Sequence, residues 1–293
     1  MYLSYSGFKT FTECQRAFYY RYIKRVIPKD PGNSVHSLYG NTVGKIFELF
    51  YRDRMWCMGA SVPLKLLDLV TPTLNNIILR GKEKGEVFNW SDPELKPGTR
   101  SIEEMEKEVR ETIPRGVKSI VYHRLVGTKA DAEVVLDGYI NGHTIGGRAD
   151  FIIQRVRPNE DLVIIDGKGS RWREKYTNDR QLRWYAMLYW VKYGVVPDRL
   201  GFLYWRCEPE TSVDWKEVTQ RDLENLRAIV FTTIKDIEGK KKAHDFLSSP
   251  GGDCKRCAYL SVCKEGARAL SDGVKAQISK DQQCGVEDGE VSF

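Results

Sequence analysis

Apolar positions at helical spacing open the chain. Phe8, Phe11, Phe18, Tyr19 and Tyr22 share one face of a predicted helix from Ser4 to Lys24, with Cys14 at the edge of the stripe and Ser6 placed as its N-cap. Pro28 and Pro31-Gly32-Asn33 break that run. A second helix is predicted from Thr42 to Met58, with Gly44 and Glu48 four apart on one face, and a third from Leu64 to Leu79. Residues 81–100 mix Gly, Pro and charge and read as an exposed loop. Two helices, Ile102 to Thr112 and Arg115 to Leu125, follow it. Residues of about 62–128 thus form a helical insertion ahead of the first strand.

From Ala132 the hydrophobic period drops to two. The stretch Ala132 to Ile140, the dipeptide Asn141-Gly142 and the stretch His143 to Gln154 predict a β-hairpin. Asp161 to Gly167 encloses a short buried strand. Asn178 to Tyr193 is an amphipathic helix, Arg199 to Cys207 a strand, and Thr219 to Lys240 a helix. The order predicts an α/β or α+β fold with a helical N-terminal part, in a single domain over residues 1–270. The polar, aperiodic stretch 271–293 reads as a disordered tail.

Composition narrows the function classes. Of the 293 residues, 41% are hydrophobic and 29% charged, as in an ordinary globular protein. No apolar run approaches the roughly 18 residues of a membrane span. The opening MYLSYSGFKTF has no secretory pattern, so a cytoplasmic protein is expected, in a host cell if a phage encodes it. The net charge of +6 suits a polyanionic partner. Seven cysteines, an odd number, argue against a disulfide framework; three of them fall within ten residues, which suggests a metal.

Two constellations carry candidate chemistry. Asp150 lies in the second hairpin strand, and Asp166-Gly167-Lys168 ends the next one. Adjacent strands would bring the two carboxylates together, and their repulsion is relieved by a divalent cation such as Mg²⁺ or Mn²⁺. A lysine beside them can orient a water or balance charge on a phosphorane-like transition state. Gln181 and Tyr185 share a helix face that can point at the same site, and Arg171, Trp172 and Arg173 follow Lys168 in a loop suited to phosphates and unpaired bases. In the second constellation, Cys254, Cys257 and Cys263 form C-x2-C-x5-C. Cys14 is the best fourth ligand and His244 a weaker one. Spacing does not separate Zn²⁺ from an iron–sulfur cluster. Either would clasp the two ends of the chain.

Taken in order, these motifs resemble the PD-(D/E)XK superfamily, in particular the RecB-like nucleases and AddB-type subunits, including CRISPR-associated nucleases, that carry an iron–sulfur clasp. Ser4-Tyr5-Ser6 ahead of Cys14, Gly147-Arg148-Ala149-Asp150, Ile165-Asp166-Gly167-Lys168, Gln181-x-x-x-Tyr185 and the cysteine triplet match in sequence order across residues 2–264. The resemblance implies a restriction-endonuclease-like core, Asp150 and Asp166 as metal ligands, Lys168 as the catalytic lysine, and Gln181 and Tyr185 as residues that contact DNA or tune the site. It implies a [4Fe–4S] cluster on Cys14, Cys254, Cys257 and Cys263, and so favours iron–sulfur over zinc. The implied activity is Mg²⁺- or Mn²⁺-dependent cleavage of DNA, from ends or single strands, in recombination, repair or phage DNA processing, with recombination or CRISPR proteins as partners. Two positions depart from the family. Gly44 stands where a metal-binding His is usual, with Glu48 one turn on as a substitute carboxylate, and Gln15 replaces a Pro. The rival expectations are a catalytically weak member that binds DNA or a partner, and a zinc-clasped nucleic-acid-binding protein.

Overall fold

The computed structural model describes residues 1–28, 33–95, 99–127, 129–154, 162–170 and 178–271. Two compact units divide the chain. One comprises Met1–Tyr5 and Asn33–Ile234, the other Ser6–Gly32 and Lys235–Phe293.

The larger unit is built on a mixed sheet. Its strands are β1 (Tyr2–Ser4), β2 (Lys129–Ile140), β3 (His143–Gln154), β4 (Leu162–Lys168), β5 (Arg199–Tyr204) and β6 (Val213–Lys216). The predicted hairpin forms: Asn141 and Gly142 take φ of 47° and 85°, the left-handed pair that a two-residue turn between twisted strands requires. β2 pairs with β3 along its full length, while β3 also takes β1 in parallel at Thr144–Gly146 and β4 antiparallel at Phe151–Gln154. β4 and β5 are parallel, joined through the helix Arg180–Tyr193, and β6 closes the edge antiparallel to β5. The α/β expectation holds; β1 and β6, three and four residues long, were not expected.

Helices cover both faces. α3 (Val35–Arg52), α4 (Val62–Asp68), α5 (Val70–Glu83) and α6 (Ile102–Tyr122) join one core with Phe151, Ile153, Val163, Ile165, Leu203 and Trp205 of the sheet. On the opposite face, a Cβ at Gly147 would touch Tyr185 and Leu188, and one at Gly138 would touch Val191, all on α7 (Arg180–Tyr193). Several boundaries differ from expectation. α3 begins seven residues earlier than Thr42 and ends at Arg52, before a 3-10 stretch over Met55–Ser61. The predicted third helix is two helices: Pro72 has no N–H to continue a ladder from Asp68, and α5 restarts just ahead of it. The break expected between Thr112 and Arg115 is absent, although Pro114 lies there. Met105, Val109, Ile113, Gly116 and Ile120 form one buried stripe through it, and that packing keeps α6 continuous.

The strand alternation of the hairpin reverses at one point, and this reversal positions the site. Glu133 has φ of 53° in the middle of β2, and the ladder passes from Ala132↔Phe151 to Val134↔Ala149 around it. Before the break Ala132 and Phe151 face the α3 core; after it Gly138 and Gly147 face α7. The local strain frees Glu133 and, across from it, Asp150 to face a cleft rather than the core.

The smaller unit carries α1 (Tyr5–Glu13), entered from β1, and α2 (Gln15–Phe18), which runs into a π-helical turn over Tyr19–Ile23. The single helix expected from Ser4 to Lys24 is therefore interrupted. Cys14 is extended, with φ −156° and ψ 108°, and Ser6 sits inside the first turn, its carbonyl accepting from Thr10 Oγ1, rather than capping it. The unit also takes the end of α8 (Gln220–Ala243), a helix that starts in the larger unit behind a reciprocal Thr219–Asp222 cap. Phe18 stacks on Phe246, and Arg16 N–H donates to Leu247 O at 2.9 Å. The tail beyond Ser271 lies outside the described residues.

Candidate active site

β3 and β4 part beyond the Phe151↔Ile165 pair, and two carboxylates occupy the fork. Asp150 Oδ2 accepts a hydrogen bond from Gly167 N–H at 2.8 Å. Asp166 is only 2% exposed and forms an ion pair with Lys168 Nζ. Lys168 Nζ donates to Gln181 Oε1 at 3.3 Å, and Gln181 Nε2 donates to Tyr185 Oη at 3.0 Å. Thus Asp166, Lys168, Gln181 and Tyr185 of β4 and α7 form one chain of contacts, with Asp150 of β3 beside it on Gly167. Trp184 Nε1, donating to Gly146 O at 3.2 Å, fixes α7 against β3.

The electrostatics follow from burial. Asp150's carboxyl is pushed well above the usual carboxylate range, first by burial, then by Asp166, against the pull of Gly167 N–H and Lys168. Burial raises Asp166 as well, and Lys168 opposes it. The Tyr185 phenol is raised by burial, so it stays protonated and able to donate. Two carboxylates disfavoured as anions in the free protein are a place where a divalent cation replaces protons. Oxygen donors of this kind suit Mg²⁺ or Mn²⁺. No cluster of three or more His, Cys, Asp or Glu side chains among the described residues stands close enough to hold a metal as arranged, so two carboxylates carry the fit.

A cleft of about 1180 Å³ opens over this fork. Its helical wall includes Gly40, Gly44 and Glu48 of α3. A Cβ at Gly40 or Gly44 would meet no atom within 4 Å, so the wall is bare there. Glu48 lines the same cleft and is held by Lys45 Nζ, 2.6 Å from both carboxylate oxygens. Glu133, Arg148, Arg80, Lys84 and Arg206 also line it, and the sequence reading singled out none of them. The spacing of Asn76, Arg80 and Lys84, one turn apart each, could have found two. Arg171, Trp172 and Arg173 lie outside the described residues.

The cysteines Cys14, Cys254, Cys257 and Cys263 belong to the smaller unit. Cys14, Cys254, Cys257 and Cys263 are all free thiols and all line one small cavity of about 20 Å³. Three successive tight turns set the C-terminal three: Cys257 N–H donates to Cys254 O, Leu260 N–H to Cys257 O, and Cys263 N–H to Leu260 O. A Cβ at Gly266 would lie 3.4 Å from Cys263 Sγ and 3.5 Å from Cys254 Sγ, at ordinary contact distance, so Gly266 packs beside both sulfurs. Burial raises the Cys263 thiol, with Cys14 adding to the rise. The four thiols line one cavity and have the donor chemistry for Zn²⁺ or an iron–sulfur cluster, but as arranged they do not stand close enough together to hold a metal.

The family model of the PD-(D/E)XK nuclease superfamily matches residues 2–264. No curated protein matches the chain. Among solved structures, a candidate exonuclease from Eubacterium rectale is similar, with a TM-score of 0.46 and 15% identity over 83% of this chain and 82% of that one. The protein SSO0001 is similar with a TM-score of 0.30 and 16% identity, over 55% of this chain and 75% of its own.

Proposed function

This chain belongs to the PD-(D/E)XK nuclease superfamily, and from that premise we propose that it is a Mg²⁺- or Mn²⁺-dependent deoxyribonuclease of the RecB-like kind, acting on DNA ends or single strands. The observation that carries the reading is the unbroken contact chain Asp166–Lys168–Gln181–Tyr185 beside Asp150, at the base of a wide cleft. Asp150 and Asp166 would hold the cation, with Glu48 as a third carboxylate in place of the family's His. A bound divalent cation supplies positive charge where the phosphate gathers negative charge. Lys168, oriented by Asp166 and Gln181, positions the water that attacks phosphorus and balances charge as the P–O bond to the leaving group breaks. Gln181 and Tyr185 hold the lysine's direction. The setting this reading implies is recombination, repair or phage DNA processing, alongside recombination or CRISPR proteins. Cys14, Cys254, Cys257 and Cys263 would hold a [4Fe–4S] cluster with a structural role.

The test is cleavage of end-labelled single- and double-stranded DNA by anaerobically purified protein with Mg²⁺ or Mn²⁺, beside Lys168→Ala. Metal-dependent cleavage lost in the variant supports the reading and reveals polarity. Gly44, which leaves the usual His position bare, favours a second reading, a catalytically weak DNA-binding member. Binding without cleavage by the wild type selects it. Visible absorbance against zinc content decides the cysteine site. Among the described residues no helix is long and apolar enough to cross a membrane.

A further inference from the structure

We propose that Arg206 binds a backbone phosphate of the substrate strand, with Tyr39 and Glu108 as its positioning residues; the proposal rests on the nuclease reading of the cleft. Arg206 leaves β5 beside the catalytic lysine, since the preceding Trp205 N–H donates to Lys168 O at 3.1 Å. Its guanidinium carbon lies 3.6 Å over the Tyr39 ring. Its Nε is 3.3 Å from Glu108 Oε1. Tyr39 is itself anchored, its hydroxyl 2.7 Å from Thr112 Oγ1 and its ring against Gly169, where a Cβ would come within 3.1 Å. Arg206 and Tyr39 line the same cleft as Asp150 and Lys168.

Arg206 differs from Arg148 and Lys45 of that cleft in its burial. Arg148 is 64% exposed and pairs with Glu133, and Lys45 is held by Glu48. Arg206 is 10% exposed, and its Nε is shielded from water yet makes no hydrogen bond: the contact with Glu108 has ion-pair distance without hydrogen-bond geometry. A guanidinium has five N–H donors; Arg206 uses one toward the Tyr39 hydroxyl, and its shielded Nε makes none. Arg206 lines the cleft, so its remaining donors can take the oxygens of a ligand. The planar fork matches two oxygens of one phosphate, and stacking fixes its plane before the ligand arrives. A nucleic-acid backbone phosphate near the scissile one is the anion this cleft offers.

Binding is measured by fluorescence anisotropy with a 5′-labelled single-stranded oligodeoxynucleotide, with Ca²⁺ in place of Mg²⁺ or Mn²⁺. Arg206→Ala is expected to weaken binding about tenfold or more, the scale of a charge-assisted hydrogen bond. The slope of log affinity against log salt should fall by about 0.7, one phosphate contact to a single strand. A scan placing one neutral methylphosphonate linkage along the strand should find a position that weakens the wild type and leaves Arg206→Ala unaffected. A structural arginine would give no such position. Should Arg206→Ala not fold, Arg206→Lys carries the test: it keeps the charge and the salt slope, and loses affinity at that same linkage. Unchanged affinity in a folded Arg206→Ala, or a linkage scan identical to wild type in either variant, overturns the proposal. Cleavage assays separate the two ideas. Lys168-dependent cleavage with an Arg206-independent scan leaves the nuclease reading standing and removes this one. Arg206-dependent binding without wild-type cleavage does the reverse.

Discussion

Lys168→Ala should destabilise the protein in a way that depends on pH. Asp166 is fully enclosed, and Lys168, 14% exposed, is its ion-pair partner. Burial pushes the Asp166 carboxyl up, and Lys168 pulls it down by charge and hydrogen bond. Without the lysine only burial remains. Breaking a buried pair costs about 3–5 kcal/mol. A proton can replace the lost lysine, and holding it at pH 7 costs about 4 kcal/mol against an ordinary aspartate, which caps the loss. The sign follows from linkage. The folded variant keeps a proton that the unfolded chain releases above its ordinary pKa, so stability falls as pH rises, by at most about 1.4 kcal/mol per pH unit. The wild type also has a raised Asp166, but less so, and the gap between the two should widen from pH 5 to pH 8. Urea denaturation in chelator at unit pH steps measures it. A gap that stays flat across that range would refute the account of a buried carboxylate held by Lys168. The double variant Asp166→Asn, Lys168→Met should recover most of the stability yet cleave nothing, separating the fold's need for the pair from the reaction's.

Other outcomes follow from the same contacts. Gly44→His should fold with unchanged or slightly higher stability, because a side chain there enters open space and helical glycine is replaced, a gain of a few tenths of a kcal/mol; calorimetric titration of Mn²⁺ should show tighter binding, and equal affinity would remove α3 from the metal site. Cys257→Ala should lose visible absorbance and bound iron and lower the melting temperature of the anaerobic protein; retention of all three would remove Cys257 from the site, and an anaerobic wild type without iron or absorbance would dismiss the cluster. Gly116→Ala should cost about 1–3 kcal/mol in urea denaturation, since its methyl would run into the Phe47 ring, which stacks at 4.2 Å on Trp205.

Local signals were legible where few residues decide the conformation. Asn141-Gly142 dictates the hairpin and its β2–β3 register, while the β3–β4 pairing at Phe151↔Ile165 brings Asp150 to the fork beside Asp166. Gln181 and Tyr185 were legible because a four-residue spacing on a helix forces a shared face. Tertiary packing decided the rest. Pro114 reads as a stop, yet the buried stripe from Met105 to Ile120 outweighs one lost hydrogen bond. Cys14 lies on an apolar helical stripe, yet it is extended between two short helices. Strands of three or four residues, β1 and β6, carry too few positions for a period to show. Arg206 belongs to no motif; its neighbours Tyr39 and Glu108 come from helices far away in the chain, and only folding places them around it.

The smaller unit is assembled from two stretches, Ser6–Gly32 and Lys235–Phe293, with the whole of the other unit's main segment encoded between them. During synthesis the N-terminal stretch therefore emerges first and waits without its partner. The sheet and its carboxylates can complete while the ribosome is still translating, but Cys14 meets Cys254, Cys257 and Cys263 only after the last of them has cleared the exit tunnel. A metal that the four thiols would hold could load only once all of them had emerged, later than the residues of the sheet. A shortage of iron or zinc at that moment would leave a finished cleft attached to an unfinished lobe.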